Sequence, residues 1–265
     1  MSDALPPILL IGGGKMGGAM LSGWCEGGIS HCVVIDPASA TDATGSVDFV
    51  RVASDVPTGF RPAAVVLAVK PQIAAEAVPQ AAHAFGDAVI LSIMAGTTIR
   101  AVDALVGGGH AVVRAMPNTP AAVRQGITVA CEGPGVSPPQ RALCHRLLQA
   151  IGTVEWVDDE ALIDPVTAVS GGGPAYVFLL AELLEKAAIE QGIPAALARR
   201  LARVTVSGSG ALLAASQQDA ADLRIAVTSP GGTTQRALAV LMEDWPGPMS
   251  RAIEAATVRS RELGS

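Results

Sequence analysis

Ile8-Leu9-Leu10-Ile11-Gly12-Gly13-Gly14-Lys15-Met16-Gly17-Gly18-Ala19-Met20-Leu21 is the stretch that decides the fold. Its apolar opening, glycine run and helically spaced apolar tail predict a strand, a tight turn and a helix in succession. Gly12, Gly14 and Gly17 fall on the spacing G-x-G-x-x-G. In that pattern the first glycine permits the turn, the second lets a pyrophosphate approach the backbone, and the third packs helix on strand. A helix starting near Lys15 aims its free N–H groups at the same phosphate. A glycine turn alone is also an ordinary strand-to-helix connection. With a strand before it and a helix after it, this one reads as a dinucleotide cradle.

Outward from the cradle, the first helix should end near Gly27-Gly28, and His31-Cys32-Val33-Val34-Ile35 reads as a second strand closing on Asp36-Pro37. Asp36 lies nineteen residues beyond Gly17. An acidic residue there either accepts from the 2′-hydroxyl of an adenosine ribose or caps the following turn. Facing a 2′-phosphate it would meet a like charge, at about 4 kcal/mol for 4 Å and an effective dielectric of about 20. No Lys or Arg lies between Pro37 and Val50 to offset that charge, so Asp36 leans the choice towards NADH over NADPH.

Residues 39–46 are small and polar and predict a short or irregular crossover, while residues 50–53 read as a third strand. Ala63-Ala64-Val65-Val66-Leu67-Ala68-Val69 is an unbroken apolar run ending at Lys70-Pro71, as expected of a central parallel strand covered on both faces. Ligands in such sheets gather at the strands' carboxyl ends, which puts Ala68, Val69, Lys70 and Pro71 near the crevice; Lys70 could equally carry its charge out to water. Residues 88–93 and 110–115 repeat the pattern and end at Met94-Ala95-Gly96 and at Met116-Pro117-Asn118-Thr119-Pro120. Helical segments at 72–83, 98–105 and 138–150, with strands at 127–130 and 153–157, complete an α/β fold. It is a Rossmann-type, doubly wound, mainly parallel sheet over residues 1–158.

From residue 159 to 265 strand-like runs stop and helical patterns follow, predicting an all-α second domain. Residues 175–191 carry Glu182, Glu185, Lys186 and Glu190 opposite a broad apolar face. Residues 195–216 repeat Leu197, Leu201, Val204, Gly208 and Leu212 at helical steps, with Gly208 and Gly210 suggesting a crossing helix. So much apolar helix surface in about a hundred residues calls for self-association, a homodimer with larger assemblies left open.

The chain has 265 residues, half of them apolar and only 3% aromatic, with net charge −6. That balance, without a basic run, argues against nucleic acid or an acidic membrane surface as partner and for small-molecule chemistry. The first seven residues lack a positive n-region, and no unbroken apolar run reaches the ~18 residues of a membrane span, so a cytoplasmic location is expected. Cys25, Cys32, Cys131 and Cys144 form no C-x-x-C pair and read as buried thiols; the four histidines are scattered, and no metal site is expected.

Two glycine-rich interruptions open helices in the second half, Ser170-Gly171-Gly172-Gly173-Pro174-Ala175-Tyr176 and Thr228-Ser229-Pro230-Gly231-Gly232-Thr233-Thr234. Either could be an ordinary N-cap, but the consecutive N–H groups and two hydroxyls of the second can also cradle a small carboxylate.

Together with Arg114-Ala115-Met116-Pro117-Asn118-Thr119-Pro120, these motifs resemble the pyrroline-5-carboxylate reductase family over nearly the whole chain. The resemblance implies hydride transfer from NADH or NADPH to the C=N carbon of 1-pyrroline-5-carboxylate, giving L-proline. It implies that the turn with Ser229, Gly231, Gly232, Thr233 and Thr234 holds the substrate, with the Thr234 hydroxyl on the ring nitrogen as the catalytic contact. It also places Glu160 near the substrate amine, where a carboxylate favours the protonated imine. On the cofactor side it implies Ile11, Gly12, Gly13, Gly14, Lys15, Met16 and Gly17 at the pyrophosphate. Asp36, Pro37 and Asp55 fall at the adenosine half, and Ala68, Val69, Lys70, Pro71, Met94, Ala95 and Asn118 along the cleft. The family commonly carries a small, hydroxyl or amide residue at Asp36, and many members accept NADPH. Gly172 replaces a frequent Ser, and Ile225 stands where an acidic residue is usual. A β-hydroxyacid-type dehydrogenase would share the two-domain plan but depend on a lysine in the helical half, where Lys186 on a polar face is the sole candidate. A non-catalytic dinucleotide sensor would have no use for the second turn.

Overall fold

The computed structural model describes residues 4–38 and 45–264; the expected crossover at 39–46 falls almost wholly outside them. In chain order the first half runs β1 (Ile8–Ile11), α1 (Lys15–Glu26), β2 (Cys32–Ile35), β3 (Val47–Val50), β4 (Ala64–Leu67), α2 (Pro71–Gln80), β5 (Val89–Ser92), α3 (Ile99–Leu105), β6 (Val112–Met116), β7 (Gly126–Glu132), α4 (Pro138–Gln149) and β8 (Gly152–Val157). The strands form one eight-stranded sheet in the order β3-β2-β1-β4-β5-β6-β7-β8. Every pairing is parallel except β6 with β7. That one reversal follows from a short 3-10 link, Thr119–Val123, ending in Arg124 at φ 58°: a parallel partner would need a long crossover there.

Successive strand residues face opposite sides, and both sides are covered. Ile8 and Leu10 of β1 join Met20, Trp24 and Leu147 in one buried layer, while Leu9 and Ile11 join Val65, Phe85 and Ile90 in the other. This double burial is why the strands read as unbroken apolar runs. The wholly buried Trp24 indole donates to the Leu147 carbonyl at 2.9 Å, so its polar tip is satisfied inside the layer.

The third strand is three residues earlier than the sequence predicts, Val47–Val50 rather than 50–53. Its ladder with β2 ends at Ile35↔Val50, and the apolar Val52 and Ala53 continue beyond the sheet into a 3-10 turn, Ala53–Asp55.

After β8 come a 3-10 turn (Glu160–Leu162), the one-turn α5 (Ile163–Val166) and a π-helical turn (Thr167–Gly171). Then follow α6 (Gly173–Glu190), α7 (Ala195–Ala215), α8 (Ala220–Ala226), α9 (Thr233–Asp244) and α10 (Pro246–Gly264). By internal contacts the chain forms two compact units, Met1–Gly171 with Ala256–Ser265, and Gly172–Ala255. The first of these units thus runs on past residue 158, where the strand pattern of the sequence ends. The turns after β8 pack on the sheet, Ile163 clustering with Val129 and Cys131, and the Ser260 hydroxyl donates to Asp164 at 2.7 Å.

Within the helical unit α6 lies against α7, and Glu185 meets Arg199 at 3.1 Å, yet no residue of α6, α8 or α9 is buried. Gly208 and Gly210 have nothing within 4 Å of where a Cβ would stand, so no helix of this chain crosses there as the sequence suggests. By length and composition alone the helical stretch Glu160–Glu190 is long and apolar enough to cross a membrane, with mean hydropathy 1.3 in its most apolar window, although no unbroken apolar run in it reaches about 18 residues. Cys25 is exposed, unlike the other three thiols, because it sits at the solvent side of α1.

Candidate functional site

The cradle is built as the glycine spacing requires. Gly12 leaves β1 at φ 102°, and a Cβ on it would stand 2.7 Å from the Ala68 carbonyl oxygen at the end of β4. A Cβ on Gly17 would strike the Gly12 carbonyl, so the first turn of α1 lies directly on the loop. At Gly14, by contrast, nothing stands within 4 Å of a Cβ position. Gly14 caps α1 without a side-chain bond, and the first turn holds no acidic residue, so its N–H groups are left for an anion. Open space at the second glycine and free donors behind it fit the pyrophosphate of a dinucleotide.

Asp36 closes the loop from β2. Its Oδ2 accepts from the Gly13 N–H at 2.7 Å and its Oδ1 from the Ala38 N–H at 2.8 Å. The carboxylate therefore both caps its own turn and ties the glycine loop in place. Its backbone N–H donates to the Val50 carbonyl at 3.0 Å, which brings the end of β3 alongside. The carboxyl ends of β1, β2, β3 and β4 enclose a cleft of about 690 Å³. Ile11, Gly12, Gly14, Asp36, Pro37, Ala68, Val69 and Lys70, all expected from sequence, line it together. So does Arg51, which sequence reasoning missed. The signal was its place one residue past an edge strand, hidden by the misplaced third strand.

Other expected positions do not line this cleft. Lys15 and Pro71 are the exposed first residues of α1 and α2; Gly13 is spent on Asp36, while Met16 and Gly17 belong to the underside of the turn. Asp55 is exposed in its 3-10 turn, its carboxylate receiving, among the described residues, only the Ser54 hydroxyl at 3.5 Å. Met94 is 2% exposed and packs in the core with Val102, leaving Ala95 as the exposed residue of that loop. Asn118 is an internal brace: its side-chain N–H donates to the Ser170 carbonyl at 3.2 Å, and its oxygen accepts from the Ile127 N–H at 3.0 Å.

Glu160 occupies a different place on the sheet. Its Oε1 accepts from the Ile99 N–H at 2.8 Å and from the guanidinium of the buried Arg114 at 2.9 Å. Arg114 also reaches Asp164 at 3.6 Å. Beside this cluster, Glu160, Asp103, Glu132 and Asp158 line a second cleft of about 710 Å³. Cys131 lies there too, its thiol pushed up in pKa first by burial and then by the Glu160 charge.

In the helical unit the 229–234 turn leads into α9, with Gly231 at φ 72° and Gly232 as N-cap. The Gly231 N–H donates to Gln235 Oε1 at 2.6 Å and the Gly232 N–H to the Ser229 carbonyl at 3.0 Å. The N–H groups of Thr233 and Thr234 precede the first intrahelical donor, the Arg236 N–H on the Gly232 carbonyl at 3.3 Å, and both residues are exposed. Lys186 pairs with Glu182 at 2.6 Å on the α6 surface.

A doubly wound sheet with a glycine cradle at the end of its first strand, joined to an all-α unit, defines a dinucleotide-dependent oxidoreductase. Residues 7–96 match the family described as NADP oxidoreductase, coenzyme F420-dependent, and residues 160–263 match that described as pyrroline-5-carboxylate reductase dimerisation. The chain belongs to the pyrroline-5-carboxylate reductase family: it is 36% identical to the enzyme of that name from Haemophilus influenzae, across 97% of both chains. Its fold is similar to that of a pyrroline-5-carboxylate reductase from Coxiella burnetii, with TM-score 0.86 and 30% identity, covering 97% of this chain and 98% of that one. It is also similar to the Plasmodium falciparum pyrroline carboxylate reductase solved with NADP bound, with TM-score 0.83 and 26% identity over all of both chains. The family uses a nicotinamide cofactor, and the dimerisation match marks the helical half as a self-association element.

Proposed function

We propose that the chain reduces 1-pyrroline-5-carboxylate to L-proline, the last step of proline synthesis, acting in the cytoplasm as a homodimer. Bound in the glycine cradle, a reduced nicotinamide dinucleotide supplies a hydride for the C=N carbon. The protein supplies grip and orientation, which is what such a reduction asks of it.

The observation that carries this proposal is the start of α9. The N–H groups of Thr233 and Thr234 hold the substrate carboxylate, helped by the helix dipole at ~0.3 to 1 kcal/mol and up to ~2 where partly buried. The Gly231 and Gly232 N–H groups are engaged within the turn, so they shape it rather than bind. The Thr234 hydroxyl hydrogen-bonds the ring nitrogen and fixes which carbon is presented. Glu160 is the carboxylate of the substrate side in this scheme; its charge is shared with Arg114, so it tunes imine protonation less than a free carboxylate would. Asp36 by itself favours NADH, but Arg51 lies in the same cleft.

The test is the purified protein with pyrroline-5-carboxylate and either reduced dinucleotide, following loss of nicotinamide absorbance and appearance of proline. Turnover with at least one is expected, and none with both would overturn the function. Thr234→Ala should lower kcat about 10²-fold or more, the scale of losing one positioned donor, with dinucleotide affinity unchanged. Thr234→Ser should restore most of it, and an Ala variant at full rate would remove Thr234 from the mechanism.

A further inference from the structure

We propose that Arg51 is the residue through which the adenosine end of the cleft accepts a 2′-phosphate, so that this chain binds NADPH and not NADH alone. The proposal rests on the cleft being the dinucleotide site.

The register of the sheet puts the two decisive side chains together. The Asp36 N–H donates to the Val50 carbonyl at 3.0 Å, so the residue after Val50 stands beside the residue that ends β2, and Arg51 and Asp36 line one cleft. Arg51 is exposed and makes no hydrogen bond or ion pair among the described residues. Its planar fork is therefore uncommitted and suited to two phosphate oxygens at once.

Asp36 is not a free opposing charge. Both of its oxygens already accept a backbone N–H, from Gly13 and from Ala38, and those bonds spread its charge and fix it as a brace of the glycine loop. Among the described residues the charged side chains lining the cleft are Asp36 and Glu76 against Arg51 and Lys70, two of each sign. A 2′-phosphate entering beside Arg51 meets a balanced rim with one unpaired guanidinium. An NADH ribose offers that guanidinium only neutral hydroxyls, a weaker partner than a phosphate dianion, so Arg51 favours the phosphorylated cofactor.

Calorimetric titration of NADPH and NADH, and of adenosine 2′,5′-bisphosphate against 5′-AMP, into wild type, Arg51→Gln and Arg51→Lys tests this. Loss of a hydrogen-bonded charged partner predicts that Arg51→Gln weakens NADPH and the bisphosphate about tenfold or more. NADH and 5′-AMP should stay within about twofold, and Arg51→Lys should recover part of the loss as a point charge without the fork. NADPH affinity should also fall more steeply with added salt than NADH affinity, and lose that excess in Arg51→Gln. Equal weakening of both cofactors, or an unchanged NADPH affinity, would overturn the role of Arg51 while leaving the cleft a dinucleotide site. If wild type binds neither cofactor, the underlying assignment of the cleft fails instead.

Discussion

Cys32 and Cys144 are wholly buried thiols on strand and helix faces of the sheet's core, and burial pushes each up to about 12 from an ordinary 9.0. A raised acid keeps its proton longer in the fold than in the unfolded chain. Its contribution is complete below the unfolded value and is lost as pH climbs towards the folded one, so the window runs from 9.0 to about 12. Each thiol then removes about 1.4 kcal/mol of stability per pH unit within that window. Urea midpoints of the wild type should therefore fall between pH 9 and 11, more steeply than those of a Cys32→Ala/Cys144→Ala chain. The double variant starts lower at neutral pH because of its cavities. Lysine and tyrosine titration is common to both proteins and cancels in the comparison; identical slopes would mean the thiols are not protected by burial.

At the level of elements, β1, α1, β2 and β4 were legible because double burial and a glycine turn leave local marks, a continuous apolar run and a fixed spacing. What depends on register was not. Nothing local says that β3 stops at Val50, and that omission alone hides Arg51; the resemblance, not the strand pattern, points to Asp55 at the adenosine half. Nor does any local pattern link residues 99, 114, 160, 164 and 260. The buried Arg114, 4% exposed, binds Glu160 and Asp164; Glu160 receives the Ile99 N–H and Asp164 the Ser260 hydroxyl. One guanidinium on β6 thus fastens the start of α3, the turns after β8 and the end of α10. Asn118 does similar work between β7 and the π-helical turn, which explains why a position in a recognisable motif faces inward. Arg114→Met leaves two partly buried carboxylates without their cation and should cost about 3 to 5 kcal/mol. Adding Glu160→Gln and Asp164→Asn should return a measurable part of that loss, since the sites are coupled. Urea denaturation reads both, and a loss under about 1 kcal/mol for Arg114→Met would show the cluster to be a surface pair in its energetics.

For the whole molecule, the helical unit alone leaves its apolar surface bare. Phe178 on α6 and Val204 on α7 are each 68% exposed, Leu179 and Leu183 about half, and Leu212 and Leu213 repeat the pattern further along α7. Only Ala198 and Ala202 of α7 are buried, and the open surface at Gly208 and Gly210 lets another backbone come close. Monomeric proteins rarely expose contiguous apolar patches beyond a few hundred Å², so this face is stable only when covered. The match of residues 160–263 to a dimerisation family names a second copy as the cover. The chain of 26.7 kDa should therefore elute as a dimer or a multiple of one in light-scattering chromatography. Its Tm should rise with protein concentration, as mass action requires when folding and association are linked. Phe178→Glu with Val204→Glu puts two carboxylates into the covered face, where an unpaired charge is too costly to bury. That variant should lose the dimer, lower the Tm and remove its concentration dependence. A wild type that runs at monomer mass, with a Tm independent of concentration, would mean that the apolar face has some other cover.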